Sequence, residues 1–462
     1  MTKNHTMKSD WCKMEFSGID LGDVRLNKRL VSLAEGFNEN MNKSIYSATD
    51  DYNACKAAYR FFNNPRFTAN DIMQAHYKRT AERIQGEEVV LAIHDSVTLD
   101  FNGHKKMKGL GGIGGQKGNA KGLLSHNVLI TTLKGSCLGL VFQKTMKRNV
   151  SLKSAMYRKT SIEEKESFRW IEGLRQVCEQ APKSTTVVNV LDREADFYEF
   201  INEANKLHAF YVVRSRWDRK LATKGESIVG KLQKSAIAGS ITVSIESNGR
   251  RRARVAKCDV KFAEILLKPS IGRELLDNTP ANVVWVKETN PPEGEKAVEW
   301  MLLTNLTVDD LEQALMVIDF YRARWRIEEW HKILKSGCKV EDIALETKER
   351  FDKYFAIISV LSARLLWITY MAREAPEASC EVALTKDEWH TLHILKTHSK
   401  VRKNKKPFTL REAVKLMALL GGYVDSKSNG PPGITVIWRG WHILQESMTF
   451  REAFSDANML KT

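Results

Sequence analysis

Two aspartates and one helical stripe carry the side chains with which this chain can do chemistry. Asp95 follows the apolar run Val89 to Ile93, and Asp192 follows the run Thr185 to Leu191. Short apolar runs of this kind read as buried strands, and α/β sheets place their sites where strands end. If the two strands are neighbours, the carboxylates converge. Each aspartate also has a simpler use: Asp192 can cap the helix expected from Ala195, and Asp95 can hold a turn. The third feature is Tyr321, Arg324, Glu328 and Lys335, at offsets of 0, 3, 7 and 14. On a regular helix these four fall within an arc of roughly 60°. One stripe then presents an aromatic hydroxyl, two cations and a carboxylate. Glu329 lies off the stripe, so Glu328 is the better ligand candidate. An ordinary ion-paired face, with Arg324 and Glu328 at i,i+4, has the same spacing.

The elements that must position these residues follow from periodicity. Leu26, Leu30 and Leu33 mark a helix whose other side carries Arg25, Lys28 and Arg29, and Ala54 to Phe62 marks a second, ending at Asn63-Asn64-Pro65. Asn127 to Leu133 and Ser136 to Gln143 read as a hairpin turning at Lys134-Gly135. Then come a helix over 163–178, the Asp192 strand, a helix over 195–207 and a strand over 209–213. That alternation predicts a mixed α/β sheet. Residues 221–300 break it with period-two stretches and read as a β-rich insertion. Thr307-x-x-Asp310 reads as a capping box opening one long helix that runs to Ser336-Gly337.

Composition limits the partners. The chain has 462 residues, with 72 Lys+Arg against 56 Asp+Glu, a net charge of +16. With 43% hydrophobic residues it can bury a core, so a disordered basic tail is excluded. The excess predicts a polyanion, nucleic acid before membrane surface. It concentrates in a glycine- and lysine-rich stretch over 102–122, expected to be a mobile loop. It recurs over 214–257, with 12 basic and three acidic residues, and over 396–406, with six basic residues and no acid. Seven scattered cysteines without C-x-x-C spacing fit a reducing cytosol rather than a disulfide or zinc scaffold. The first residues have no apolar signal core. The longest apolar run, Tyr354 to Ala372, has Arg364 at its centre and reads as a buried core helix rather than a membrane span.

Together these residues resemble the DDE transposases of bacterial insertion sequences, in the hairpin-forming branch with the signature Y-x2-R-x3-E-x6-K (the insertion-sequence-four family). Tyr321, Arg324, Glu328 and Lys335 supply that signature in full. Collinear segments are similar too: L-G-D-x-R-x3-R-L from Leu21, A-Y-R-F from Ala58, V-L-D-R-E-A-D around Asp192, Y-V-V-R-S ending at Ser215, E-W-M-L-L-T around Trp300, and L-G-G-Y-x-D-S-K from Leu420. Asn63 departs by replacing a basic residue, and Lys121 to His126 lacks paired tryptophans found in one relative. Both departures bear on end recognition.

The resemblance implies a specific organisation. Residues 1–70 would be a helical DNA-binding domain using Arg25, Lys28, Arg29 and Arg60. Residues 71–370 would be an RNase H-like α/β core with its β-rich insertion at 221–300, and 371–462 a helical dimerisation domain. Asp95, Asp192 and Glu328 would form the catalytic triad holding two Mg2+ ions, with Mn2+ as substitute, about 3.5–4 Å apart. Tyr321, Arg324, Lys335, Lys332 and Arg214 would contact DNA, and Trp300 would stack an extruded base. The expected function is cleavage of transposon ends by a 3′-OH and hairpin route, then joining to target DNA. The partners would be double-stranded DNA at terminal inverted repeats, target DNA and a second copy of the chain, in a bacterial cytoplasm at the nucleoid, with no membrane. The alternative is a catalytically silent regulator derived from a transposase. A generic RNase H-like nuclease is disfavoured by the insertion and the stripe.

Overall fold

The computed structural model describes residues 10–49, 51–113, 120–148, 160–245, 252–269, 276–398, 406–426 and 430–459. Part of the 102–122 stretch, most of the 396–406 stretch, Arg250, Arg251 and Lys427 lie outside these residues. Four helices open the chain: α1 Asp10–Glu15, α2 Val24–Glu39, α3 Tyr52–Phe62 and α4 Ala69–Ile84. Short polar side chains start three of them. Asp23 caps α2, Asp51 caps α3, and Thr68 forms a reciprocal capping box with Asp71 at α4.

A ten-stranded mixed sheet follows. Its strands are β1 Val89–Asp100, β2 Gly111–Gly112, β3 Lys121–Thr132, β4 Cys137–Met146, β5 Thr186–Leu191, β6 Phe210–Arg214, β7 Gly239–Ile245, β8 Arg254–Leu267, β9 Thr279–Glu288 and β10 Glu299–Thr304. They lie in the order β2-β3-β1-β5-β6-β10-β9-β8-β7, with β4 also on β3. β1 runs antiparallel to β3 but parallel to β5, and β5 parallel to β6. An antiparallel hairpin beside two parallel strands is consistent with an RNase H-like core. The crossovers supply α5 Phe168–Gln180 and α6 Tyr198–Lys206. The strands of 221–300, with the short helix α7 Ile228–Lys234, extend this same sheet, because β10 pairs with β6.

Three local expectations are corrected. Asp95 was expected where its strand ends, but β1 continues to Asp100. Parallel pairing with β5 stops at Ile93 opposite Val190, while antiparallel pairing with β3 carries the strand on. The long helix is divided: α8 Leu311–Ala323 meets α9 Trp325–Lys332 at Arg324, and a π-helical turn Ile333–Gly337 ends the segment. Finally, α8 is capped by Asp310 rather than Thr307. The Asp310 carboxylate accepts from the Gln313 N–H, and the Gln313 side chain reaches back to the Asp309 N–H at 2.7 Å.

The remaining helices are α10 Lys348–Glu374, α11 Lys386–Thr397, α12 Leu410–Leu420 and α13 Ile434–Met459. α10 is long and apolar enough to cross a bilayer, yet 89% of its most apolar stretch is buried inside the protein. It packs on β4, α4, α2, α3 and α12 and so ties the N- and C-terminal helices to the sheet. Arg364 is buried in this helix. Its guanidinium donates to Asn38 at 3.1 Å and to the Ala383 carbonyl at 3.2 Å, and it lies against the rings of Trp11 and Trp441. Replacing it removes packing, two cation–π contacts and two hydrogen bonds together. Arg364→Ala should therefore cost on the order of 3 kcal/mol, in the range of large-to-small core changes. The urea midpoint of the full chain, wild type against variant, measures it.

Candidate active site

Asp95 lies where β1 parts from β5, two residues past the last parallel pair, Ile93 with Val190. It is 8% exposed. One oxygen accepts from the Ser96 N–H at 2.7 Å, and the other accepts from the Arg324 guanidinium at 2.9 Å. A second Arg324 nitrogen donates to Glu328 at 3.3 Å. The break between α8 and α9 falls at Arg324 itself, at the helix end nearest the two acids it bridges. Glu329 is engaged elsewhere, with Tyr370 and with Arg326 at 3.7 Å. Asp192 follows the last residue of β5. One of its oxygens accepts from the Glu194 N–H at 2.8 Å and caps the single turn Arg193–Ala195, not the helix expected from Ala195, which begins at Tyr198 after Phe197. Its charge still reaches Asp95 and Arg324.

Burial pushes the Asp95 carboxyl up to about 7. Arg324 opposes the shift, while Glu328 and Asp192 add to it. Ionised together, the acids outnumber the Arg324 guanidinium that bridges Asp95 and Glu328, and oxygen-rich clusters of this kind suit hard divalent cations. The donor set fits such an ion, which Asp95 and Glu328 would hold with Asp192 close by. His331, one turn beyond Glu328, offers a third donor: its ligand atom and those of Asp95 and Glu328 lie within 4.8 Å of one another.

Around this centre the structure gathers other residues singled out in the sequence. Trp300 on β10 and Tyr321 on α8 meet edge to face at 5.8 Å, and the Arg214 guanidinium lies 6.0 Å from the Tyr321 ring. A groove of about 1120 Å³ runs past them, lined by Arg193, Arg214, Trp300, Tyr321, Arg324 and Trp325 among others. Lys335 is half-buried; it pairs with Glu341 at 3.0 Å and donates to the Thr98 carbonyl of β1 at 3.0 Å. Lys332 is exposed on α9. Arg25, Lys28, Arg29 and Arg60 stand on α2 and α3 and do not line the groove. Arg25 is held by Asp23 at 2.8 Å, and Asn63 accepts from Arg350 at 3.0 Å.

Sequence reasoning missed the support beneath the acids. Arg169 on α5, 4% exposed, donates to the Ser96 hydroxyl at 3.0 Å, to the Glu166 carbonyl at 2.8 Å and to the Glu194 carboxylate at 2.5 Å. Ser96 adjoins Asp95, and Glu194 donates its N–H to Asp192. One guanidinium thus ties together the backbone on both sides of the site. No short motif announces it, because its partners lie 73 and 25 residues away. Arg169→Met leaves the half-buried Ser96 hydroxyl with His126 alone and the half-exposed Glu194 carboxylate without this donor. It should cost about 1–3 kcal/mol, read as a lower urea midpoint, with Arg169→Lys recovering part of the loss.

A histidine layer lies behind the acids. Burial holds the His94 imidazole down at about 4, with its Nε2 on Asn189. Burial, then Arg324 and Lys335, holds His331 down at about 3. His126, bonded to Ser96 at 2.9 Å, is depressed by burial first and then by His94 and Arg169. A histidine with a depressed folded pKa takes its proton first in the unfolded chain. Its contribution is therefore full above about 6.5 and is lost as pH falls. Asp95, raised above its ordinary value, acts in the opposite sense between about 4 and 7. Three histidines outweigh one carboxyl, so the metal-free chain should lose stability between about pH 6.5 and 4. His94→Gln should flatten that slope in urea titrations at stepped pH.

Three family models match in order along the chain. Transposase DNA-binding covers residues 8–67, the transposase DDE domain 171–365, and the transposase Tn5 dimerisation domain 360–459. The DDE match contains Asp192 and Glu328 but begins after Asp95, whose place beside them comes from strand pairing. With a DNA-binding segment, a DDE domain over converging acids and a dimerisation segment in succession, this chain is a DDE transposase.

Proposed function

We propose that the chain cuts the ends of a mobile DNA element by a 3′-OH and hairpin route and joins them to target DNA, as a member of the insertion-sequence-four branch. The observation that carries this reading is the meeting of Asp95 and Glu328 through Arg324 beside Asp192. A DDE domain implies dependence on a divalent metal. Asp95, Asp192 and Glu328 would hold two Mg2+ ions, or Mn2+, which when bound activate a water or 3′-hydroxyl and stabilise the leaving oxygen of an in-line displacement.

The protein's own groups do the rest. Arg324 bridges Asp95 and Glu328 in the free chain. Were cations to take over those two acids, its guanidinium would be free for the phosphate beside the cut. Tyr321 and Arg214 fix the backbone that lies in the groove, and Lys335 does so from the far side of Glu328, helped by exposed Lys332. Trp300, half-buried at the groove's edge, supplies a face for a base turned out of the terminal duplex, worth about 1–3 kcal/mol. Arg25, Lys28, Arg29 and Arg60 serve end binding within a helical DNA-binding domain over 1–70. The RNase H-like core over 71–370 carries the chemistry, and 371–462 joins two copies. Two ends must be cut and joined together, which one active site per subunit achieves only in a dimer.

The test uses duplexes carrying the inverted repeats that flank the gene. Asp95→Asn, Asp192→Asn and Glu328→Gln should each abolish nicking while retaining end binding, and Glu329→Gln should be much milder. Loss with Glu329→Gln but not with Glu328→Gln would sink the assignment. Trp300→Ala should spare the first nick and impair hairpin closure, resolved on denaturing gels. Equal loss of both steps means that Trp300 serves packing instead.

A further inference from the structure

The three acids explain Asp95 and Glu328 but leave His331 without a role. Its ring is 6% exposed, inside the protein on the last turn of α9. The Nε2 atom is buried with no hydrogen-bond partner. Buried polar atoms are almost always satisfied, so an orphan beside a reaction centre needs a reason. His331 stands three residues after Glu328, and residues so spaced share one helix face. Its ligand atom lies within 4.8 Å of those of Asp95 and Glu328. The cations that act on it, Arg324 and Lys335, accept no hydrogen bond. A Glu-x-x-His pair facing a carboxylate from another element is an arrangement by which proteins bind transition-metal ions.

We propose that His331 is a direct ligand of the cation held by Asp95 and Glu328, making this position a mixed oxygen and nitrogen site. The inference rests on the reading of these two acids as metal-holding carboxylates and adds a donor to it. An imidazole nitrogen suits Mn2+, Co2+ and Zn2+ better than Mg2+, which prefers oxygen throughout. The site should therefore favour Mn2+ over Mg2+ by more than an all-carboxylate site would.

The experiment is pulsed electron paramagnetic resonance on the full-length chain with one equivalent of Mn2+ and no DNA. Wild type should show the nitrogen modulation of a directly bound imidazole. His331→Gln should still bind Mn2+ but lose that modulation, with affinity lower by about tenfold or more, the scale on which even outer partners of a metal act. Its Mg2+ affinity, read by competition, should fall less. Bound Mn2+ without nitrogen modulation in the wild type, or modulation that survives in His331→Gln, overturns the proposal and leaves the triad reading standing. Mn2+ binding unaffected by both Asp95→Asn and Glu328→Gln overturns the proposal and the triad reading together.

Discussion

Like charge gathered in a low-dielectric place is the constraint around which the rest of this fold is arranged. A buried carboxylate near two others is costly. Asp95 takes the burial, and the Arg324 guanidinium is bonded to both it and Glu328. The helix breaks where that arginine sits. A straight α-helix through residue 324 is what the spacing of Tyr321, Arg324, Glu328 and Lys335 anticipates. Ending α8 one residue early and closing with a π-turn alters the phase of the stripe. Interruptions of this kind are frequent at functional sites. In the free protein Arg324 supplies the positive charge between Asp95 and Glu328.

The surrounding structure holds the acids against their repulsion. The divergence of β1 from β5 supplies the space, and continued pairing with β3 keeps Asp95 on a rigid strand rather than a loop. Arg169 fixes Ser96 and Glu194, the neighbours of the two aspartates, from the opposite side. Lys335 and Glu341 brace the far end of β1, where Glu341 also accepts from the Asp100 N–H at 2.6 Å. The extension β10-β9-β8-β7 continues the same sheet, so Trp300 is registered to the core through β6. This turns a β-rich insertion into one wall of the groove, opposite α8 and α9. α10 then locks the terminal helices to the back of the sheet through the buried Arg364.

Much of this was legible in the sequence, and the remainder was not for definite reasons. Apolar runs ending in Asp95 and Asp192 exposed two core strands, since strands buried on both faces read as continuous hydrophobic stretches. The length of β1 was hidden because the polar residues after Asp95 pair with β3, and a pairing partner leaves no local signature. Thr307 and Asp310 are both good caps, and only the Gln313 contacts decide between them. The break at Arg324 has no proline or glycine to mark it. His331 reads as one more residue of an amphipathic helix until Asp95 is brought opposite it. Arg169 is invisible for the same reason, and the fit of the chain to its family depends on neither.

If Asp95 is kept for a cation, its charge destabilises the metal-free fold. Thermal unfolding of wild type and Asp95→Asn at about pH 8, with and without Mn2+, measures that cost. A carboxyl whose folded pKa is raised contributes stability at low pH and loses it as pH rises through that value. Asp95→Asn should therefore melt above wild type when metal is absent. Mn2+ should raise the melting temperature of wild type, as a ligand of the folded state must, and leave the variant nearly unmoved. A variant that melts below wild type without metal, and gains as much from Mn2+, would contradict that role for Asp95.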